Sequence, residues 1–171
     1  MWQRSFSILT SAPVQAVWKL FADVEGWARW NAGIESISIA GPFADGTEFV
    51  MKPPGQEAFT SRLVNVVEPL RFEDETVLGD IHVLVDHRVE RVPDGQTRIT
   101  YTARVSGPGA EEVGAAVTDD FPAVLKSLAA LAEREAVQAL RLTSLAGSAA
   151  AGGATRESPG SRPASRRGAR C

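Results

Sequence analysis

Cysteine is almost missing from this chain: of 171 residues only Cys171, at the end of the sequence, is one. No intramolecular disulfide can form, and no cysteine-based zinc site can be assembled. Histidine is nearly as scarce, with His82 and His87 the two present. They stand five apart, on opposite faces of any strand, so they cannot chelate one metal; HExxH is absent as well. Phosphate-cradling loops are missing too, since Gly107-Pro108-Gly109 matches neither GxGxxG nor a P-loop. No cofactor and no metal is therefore expected. No apolar run approaches the ~20 residues that cross a bilayer, so no membrane span is expected either. The opening residues Met1 to Phe6 lack the apolar region of a signal peptide, which makes the cytoplasm the expected location. Excess charge of one sign is also missing. Lys and Arg number 18 against 21 Asp and Glu, a net −3, which argues against specific nucleic-acid binding.

The charge that is present is unevenly placed. Residues 147–171 hold five arginines against Glu157, a net +4, and leave −7 for residues 1–146. That stretch contains no Val, Ile, Leu, Met, Phe, Trp or Tyr. It cannot bury enough apolar surface to offset ordering entropy, so it reads as a disordered tail. It is either an idle extension or a contact site for an anionic partner. Cys171 reads as an exposed thiol. Residues 1–146 read as one domain, a size at which a single core suffices.

Along that domain the apolar period alternates between 2 and 3.6. Residues 2–9 alternate as a strand. Thr10 or Ser11 can cap a following helix whose first turn suits Pro13. Val14, Val17, Trp18 and Phe21 mark its buried stripe, and a short second helix carries Trp27 and Trp30. Strands follow at 35–40, 47–51, 57–67, 71–78, 81–92 and 96–106, separated by turn residues such as Asp45-Gly46 and Pro93-Asp94-Gly95. Hairpin-length turns imply an antiparallel meander. A helical stripe from Val113 to Leu131 closes the domain, spanning about 110–145, with Pro122 forcing a kink or a restart and Asp119 or Asp120 available as a cap. The expected class is α+β: a curved antiparallel sheet of about seven strands round a long C-terminal helix, with two short helices after the first strand. A sheet wrapped round one helix encloses a space that is either packed or a pocket.

The pattern resembles the SRPBCC superfamily, with its START-like helix-grip fold, and within it the small bacterial polyketide cyclase/dehydrase-like group. The resemblance rests on SAPVQAVWKLFADVEGWARWNAGIESISI (11–39), GTEFVMKPPG (46–55), LVNVVEPLRFEDE (63–75), RITYTARVSGP (98–108) and DDFPAVLKSLAALAE (119–133). Membership implies a cavity for a lipid, a polyketide, a hormone or a quinone-like molecule. Some members cyclise or dehydrate that ligand, and others carry or sense it. They share no catalytic signature, so no catalytic residue is transferred to this chain.

Residue parity nominates the cavity wall. Ile81, Val83, Val85, His87 and Val89 share the apolar face of their strand, which puts His87 inside and His82 outside. His87 is either a hydrogen-bonded core residue or a group that orients a ligand or moves its proton. Tyr101, the single tyrosine, has inward parity on the next strand, near the register position of His87. Phe49 and Met51 face in on their strand, Trp27 and Trp30 can cap one end, and Phe121 stands beside the Pro122 break. The candidate ligand-binding set is thus Trp27, Trp30, Phe49, Met51, Val85, His87, Tyr101 and Phe121. Glu73-Asp74-Glu75 reads as a solvated strand edge rather than a pair of acid/base carboxylates. Three functions stay open: a carrier of a small hydrophobic metabolite, a cyclase or dehydratase using the same cavity, and a regulator that contacts a protein partner through the tail. Oligomeric state is left open.

Overall fold

The structure, a computed structural model, describes residues 1–151, with side chains described to residue 146. Seven strands form one antiparallel sheet: β1 (Trp2–Thr10), β2 (Ser36–Ile39), β3 (Glu48–Lys52), β4 (Phe59–Val67), β5 (Arg71–Leu78), β6 (Ile81–Arg91) and β7 (Thr97–Ser106). Their order is β1-β7-β6-β5-β4-β3-β2, so β2 to β7 meander and β1 closes against β7. Between β1 and β2 lie α1 (Val14–Ala22) and a short 3-10 helix (Val24–Arg29). After the sheet come α2 (Ala110–Thr118) and α3 (Phe121–Ala151). This is the α+β helix-grip architecture that the alternation and the resemblance lead one to expect.

Strand alternation decides which face is dry. On β7, Thr97, Ile99, Tyr101, Ala103 and Val105 are buried, while the residues between them are partly or fully exposed. α3 covers this face with Val124, Leu125, Leu128 and Ala132, all buried. Under α1 the core is aromatic. Phe72 meets Phe21 and Phe43 edge to face, at ring-centroid distances of 5.2 and 5.0 Å. Such pairs add about 0.5–1.5 kcal/mol each beyond the area they bury.

One local expectation is corrected, and one open alternative is decided. Neither Thr10 nor Ser11 caps α1 with its side chain; Pro13 takes the N-cap position. Thr10 ends β1 fully buried, so its hydroxyl faces α3 and donates to Glu133 Oε1 at 2.7 Å. The Ser11 N–H donates to the same oxygen at 3.0 Å. Glu133 therefore fastens α3 to the corner where β1 turns into α1. These two hydrogen bonds hold the Glu133 carboxyl below the usual carboxylate range. The C-terminal helix is not one kinked rod but two helices. The break falls at Asp119–Asp120, just before Pro122, and leaves Pro122 in the first turn of α3, where no N–H is required. α3 runs on to Ala151, past the boundary at residue 146 drawn from composition. Residues 152–171, including Cys171, lie outside the described residues.

Gly107 sets the turn that swings the chain from β7 into α2. It has φ +105°, and a Cβ there would lie 2.2 Å from the Asp80 carbonyl oxygen. Gly109 has φ +68°, with nothing within 4 Å of such a Cβ. Gly107→Ala is expected to cost at least about 2 kcal/mol, and Gly109→Ala about 1 kcal/mol, read as urea-unfolding midpoints at unchanged slope. Equal losses would show that the approach to Asp80 does not constrain the turn.

Candidate functional site

A cavity of about 260 Å³ lies between the concave sheet face and the helices. The 3-10 helix and its end bring Trp27 and Trp30 to the wall, β3 brings Phe49 and Met51, and β6 brings Val85 and His87. β7 supplies Tyr101, and α2 and α3 supply Val113, Val117 and Phe121. All eight candidate residues thus stand on one cavity.

His87 and Tyr101 are directly opposed in the β6–β7 register, with ring centroids 4.3 Å apart. Phe72, opposite His87 on the other side, stacks flat on the imidazole at 4.2 Å and 4°. Phe121 meets the Tyr101 ring edge-on at 5.5 Å. His82, on the outer face, bonds Glu75 at 2.7 Å. The two tryptophans differ. Trp27 donates its indole N–H to the Phe21 carbonyl at 2.9 Å, so its hydrogen bond belongs to the fold. The Trp30 indole nitrogen has no partner among the described residues, and neither does His87 Nδ1 nor the Tyr101 hydroxyl.

The residue that sequence reading misses is Asp74. β5 lies inside the sheet, between β4 and β6, so Glu73-Asp74-Glu75 is not a solvated edge. Glu73 is buried on the outer face, where Asn65 donates to it and Arg104 approaches at 3.4 Å. Glu75, on that face too, pairs with Arg62 and His82. Asp74 points the other way, onto the cavity wall, with Oδ2 3.7 Å from His87 Nδ1. The signal was there: parity groups Asp74 with Phe72 and Thr76, and a phenylalanine on that face marks it as inward. Asp120, at the break before α3, reaches the same wall.

Burial governs the charges here. Loss of solvent around the imidazole pushes His87 down to about 3, against smaller opposing pulls from the Val85 and Phe72 backbone. Loss of solvent, followed by the Glu73 charge, pushes Asp74 up to about 7. Burial also raises Asp120, and raises Tyr101 well above the usual phenol range. The 3.7 Å approach is thus no ion pair: near neutral pH the imidazole is uncharged and Asp74 is balanced between acid and carboxylate. Among the described residues, no group of three or more His, Cys, Asp or Glu is arranged to hold a metal ion. No helix there is long and apolar enough to cross a membrane.

A family model described as polyketide cyclase / dehydrase and lipid transport matches residues 1–133. No curated protein matches the chain. Among solved structures, one from Thermobifida fusca is 24% identical, covering 78% of this chain and 95% of that one, with a TM-score of 0.65. A START superfamily protein from Mycobacterium smegmatis is 15% identical, covering 77% and 97%, with a TM-score of 0.62. The Zhui aromatase/cyclase from a Streptomyces species is 20% identical, covering 78% and 94%, with a TM-score of 0.61. At these identities the likeness is one of fold.

The two perturbed groups give opposite pH dependences. Folded Asp74 keeps its proton up to about pH 7 while the unfolded chain releases it near 3.8, so its contribution is full below 3.8 and lost as pH rises through about 7. His87 contributes above 6.5, and that contribution is lost as pH falls towards 3. Asp74→Asn removes the first effect alone. The variant should be more stable than the parent at about pH 8, by at most about 4 kcal/mol, with the advantage fading towards pH 4. Urea unfolding across that range measures it; a stability difference that does not change with pH would contradict the buried-acid assignment.

Proposed function

The chain belongs to the polyketide cyclase/dehydrase and lipid transport family, and from that membership we propose that it binds a small hydrophobic metabolite, of lipid, quinone or polyketide-like class, in the cavity between sheet and C-terminal helices. The observation that carries this reading is the cavity itself. Its wall is mainly apolar, and a few polar groups, Asp74, His87 and Tyr101 foremost, sit together within it. Ligand sites are built this way: apolar surface supplies affinity and a few placed polar atoms fix orientation. At about 260 Å³ the space lies just below the usual range of roughly 300–1,000 Å³, which favours a compact ligand. Trp27, Trp30, Phe49, Met51, Val85 and Phe121 are the proposed apolar contacts, and His87 and Tyr101 the polar ones.

One observation favours a second reading, that of a cyclase or dehydratase. An uncharged imidazole stands 3.7 Å from a carboxyl group that titrates near neutral pH. His87 could accept a proton from a substrate carbon or hydroxyl, and protonated Asp74 could deliver one to a leaving hydroxyl, which departs as water. The Zhui neighbour is an aromatase/cyclase, a fact about that protein which makes the test worth doing.

Neutral N-phenyl-1-naphthylamine should bind with strong fluorescence enhancement. Val85→Trp, which fills the cavity, should weaken that binding at least about tenfold with the fold retained by circular dichroism. Undiminished binding by that variant would place the probe elsewhere and overturn the cavity reading. Mass spectrometry of a co-purifying ligand separates the two readings. A carrier returns it unchanged, and His87→Ala lowers affinity only modestly. An enzyme returns it short one water or cyclised, and His87→Ala abolishes that change while binding persists.

A further inference from the structure

We propose that the ligand's polar head is a basic nitrogen carried as a protonated amine and seated on Asp74, and that the cavity turns away ligands ending in a free carboxylate. The inference rests on the cavity reading above and goes further by assigning the chemistry of the head group.

The wall holds two carboxyl groups, Asp74 and Asp120, and among the described residues lining it there is no lysine or arginine. A carboxylate head would enter without a counter-ion and face two acids, at the full cost of an unpaired buried charge. Asp74 has no fixed donor of its own: His87 Nδ1, at 3.7 Å, is beyond hydrogen-bond range. On the outer face of the same sheet the arrangement is opposite, with Glu73 and Asp86 matched by Arg104 and Arg88. Among the described residues the inner acid has no cationic partner.

Beside it are two further acceptors. Tyr101 is 3% exposed and its phenol oxygen is unpartnered; His87 is 7% exposed and its Nδ1 is unpartnered. With its proton on Nε2, the imidazole offers a lone pair at Nδ1. A primary ammonium brings three N–H donors and no acceptor, which suits a carboxylate, an imidazole nitrogen and a phenol oxygen grouped together. Trp27, Trp30 and Phe49 provide aromatic faces on the same wall, and aromatic faces attract a desolvated cation. A ligand carbonyl is the poorer match. It can accept from the unpartnered Tyr101 hydroxyl or the Trp30 indole N–H, but it leaves the Asp74 carboxylate without a counter-charge.

Burial, and then the Glu73 charge on its own strand, sets the titration of Asp74; the other titratable groups on the cavity wall are His87 on β6, Tyr101 on β7 and Asp120 before α3. Of these, His87 stays uncharged because burial depresses it to about 3. An ammonium favours the Asp74 carboxylate, so amine affinity rises as pH climbs through about 7, whereas a carbonyl ligand would lose affinity over the same range.

Three probes with one ring system test this by titration calorimetry: 2-naphthylmethylamine, 2-naphthylmethanol and 2-naphthoic acid. The amine should bind at least about tenfold more tightly than the alcohol near pH 8, and the acid more weakly than either. Amine affinity should increase several-fold from about pH 6 to pH 8 while that of the alcohol does not. In Asp74→Asn the amine should fall to or below the alcohol, with alcohol binding kept as proof that the cavity is intact. An alcohol or acid that matches the amine in the unaltered protein overturns the inference and leaves the cavity reading standing. Failure of all three overturns it as well, and the cavity reading falls with it only if N-phenyl-1-naphthylamine also fails to bind.

Discussion

The helices of this protein do not cover the whole sheet they close. α3 packs on β1 and α1, α2 packs on β7 and β1, α1 packs on β6, and the 3-10 helix packs on β2. The concave face of β5 and β6 beyond the reach of α1 lies between these supports. A close-packed interior needs side chains from both sides, and here the roof stands off. The cavity follows from that shortfall, and the site follows from whatever β5, β6 and β7 point into it. Glu133 keeps the arrangement in register by holding α3 to the β1–α1 corner. Gly107 does so at the other end, by letting the chain leave β7 close against Asp80.

The sheet carries buried acids on its outer face and a half-buried acid, Asp74, on its inner one, and treats the two differently. Outside, Glu73 and Asp86 sit opposite one another in the β5–β6 register and are answered by Arg104 and Arg88. Inside, the basic group nearest Asp74 among the described residues is an uncharged imidazole. Removing one partner of a buried pair is costly, and an acid with no partner bears that cost from the outset. Burial and the Glu73 charge together raise Asp74 to about 7. A carboxyl group held in that state, among unpartnered Tyr101, His87 and Trp30 atoms, is what sets this candidate site apart from an ordinary apolar core.

Much of the site was legible before the fold. Alternation along β6 put His87 inside and His82 outside, and the Pro93–Gly95 turn placed Tyr101 near the register position of His87; the structure pairs the two directly. The aromatic contributions of Trp27, Trp30, Phe49 and Phe121 follow from their parity or from their place beside a helix break. Asp74 was not recovered, although strand parity groups it with Phe72 and Thr76. Three acidic residues in a row look solvated, and nothing local says that β5 is an interior strand whose outer acids are neutralised by Arg62 and Arg104.

Periodicity and turn residues by themselves determined the element types, the antiparallel hairpins from β2 to β7 and the inward faces of β3, β6 and β7, because these depend on side-chain spacing and turn length along a local backbone. Only the tertiary structure decided that α2 and α3 stand far enough from β5 and β6 to leave about 260 Å³ between them. Only it decided that Thr10 serves α3 rather than α1, and that Asp74 is an acid without a counter-ion. Those properties depend on which distant residues come to share a volume. Burial, and with it the charge state of a carboxyl group, is a property of that shared volume and not of the chain on either side of the residue.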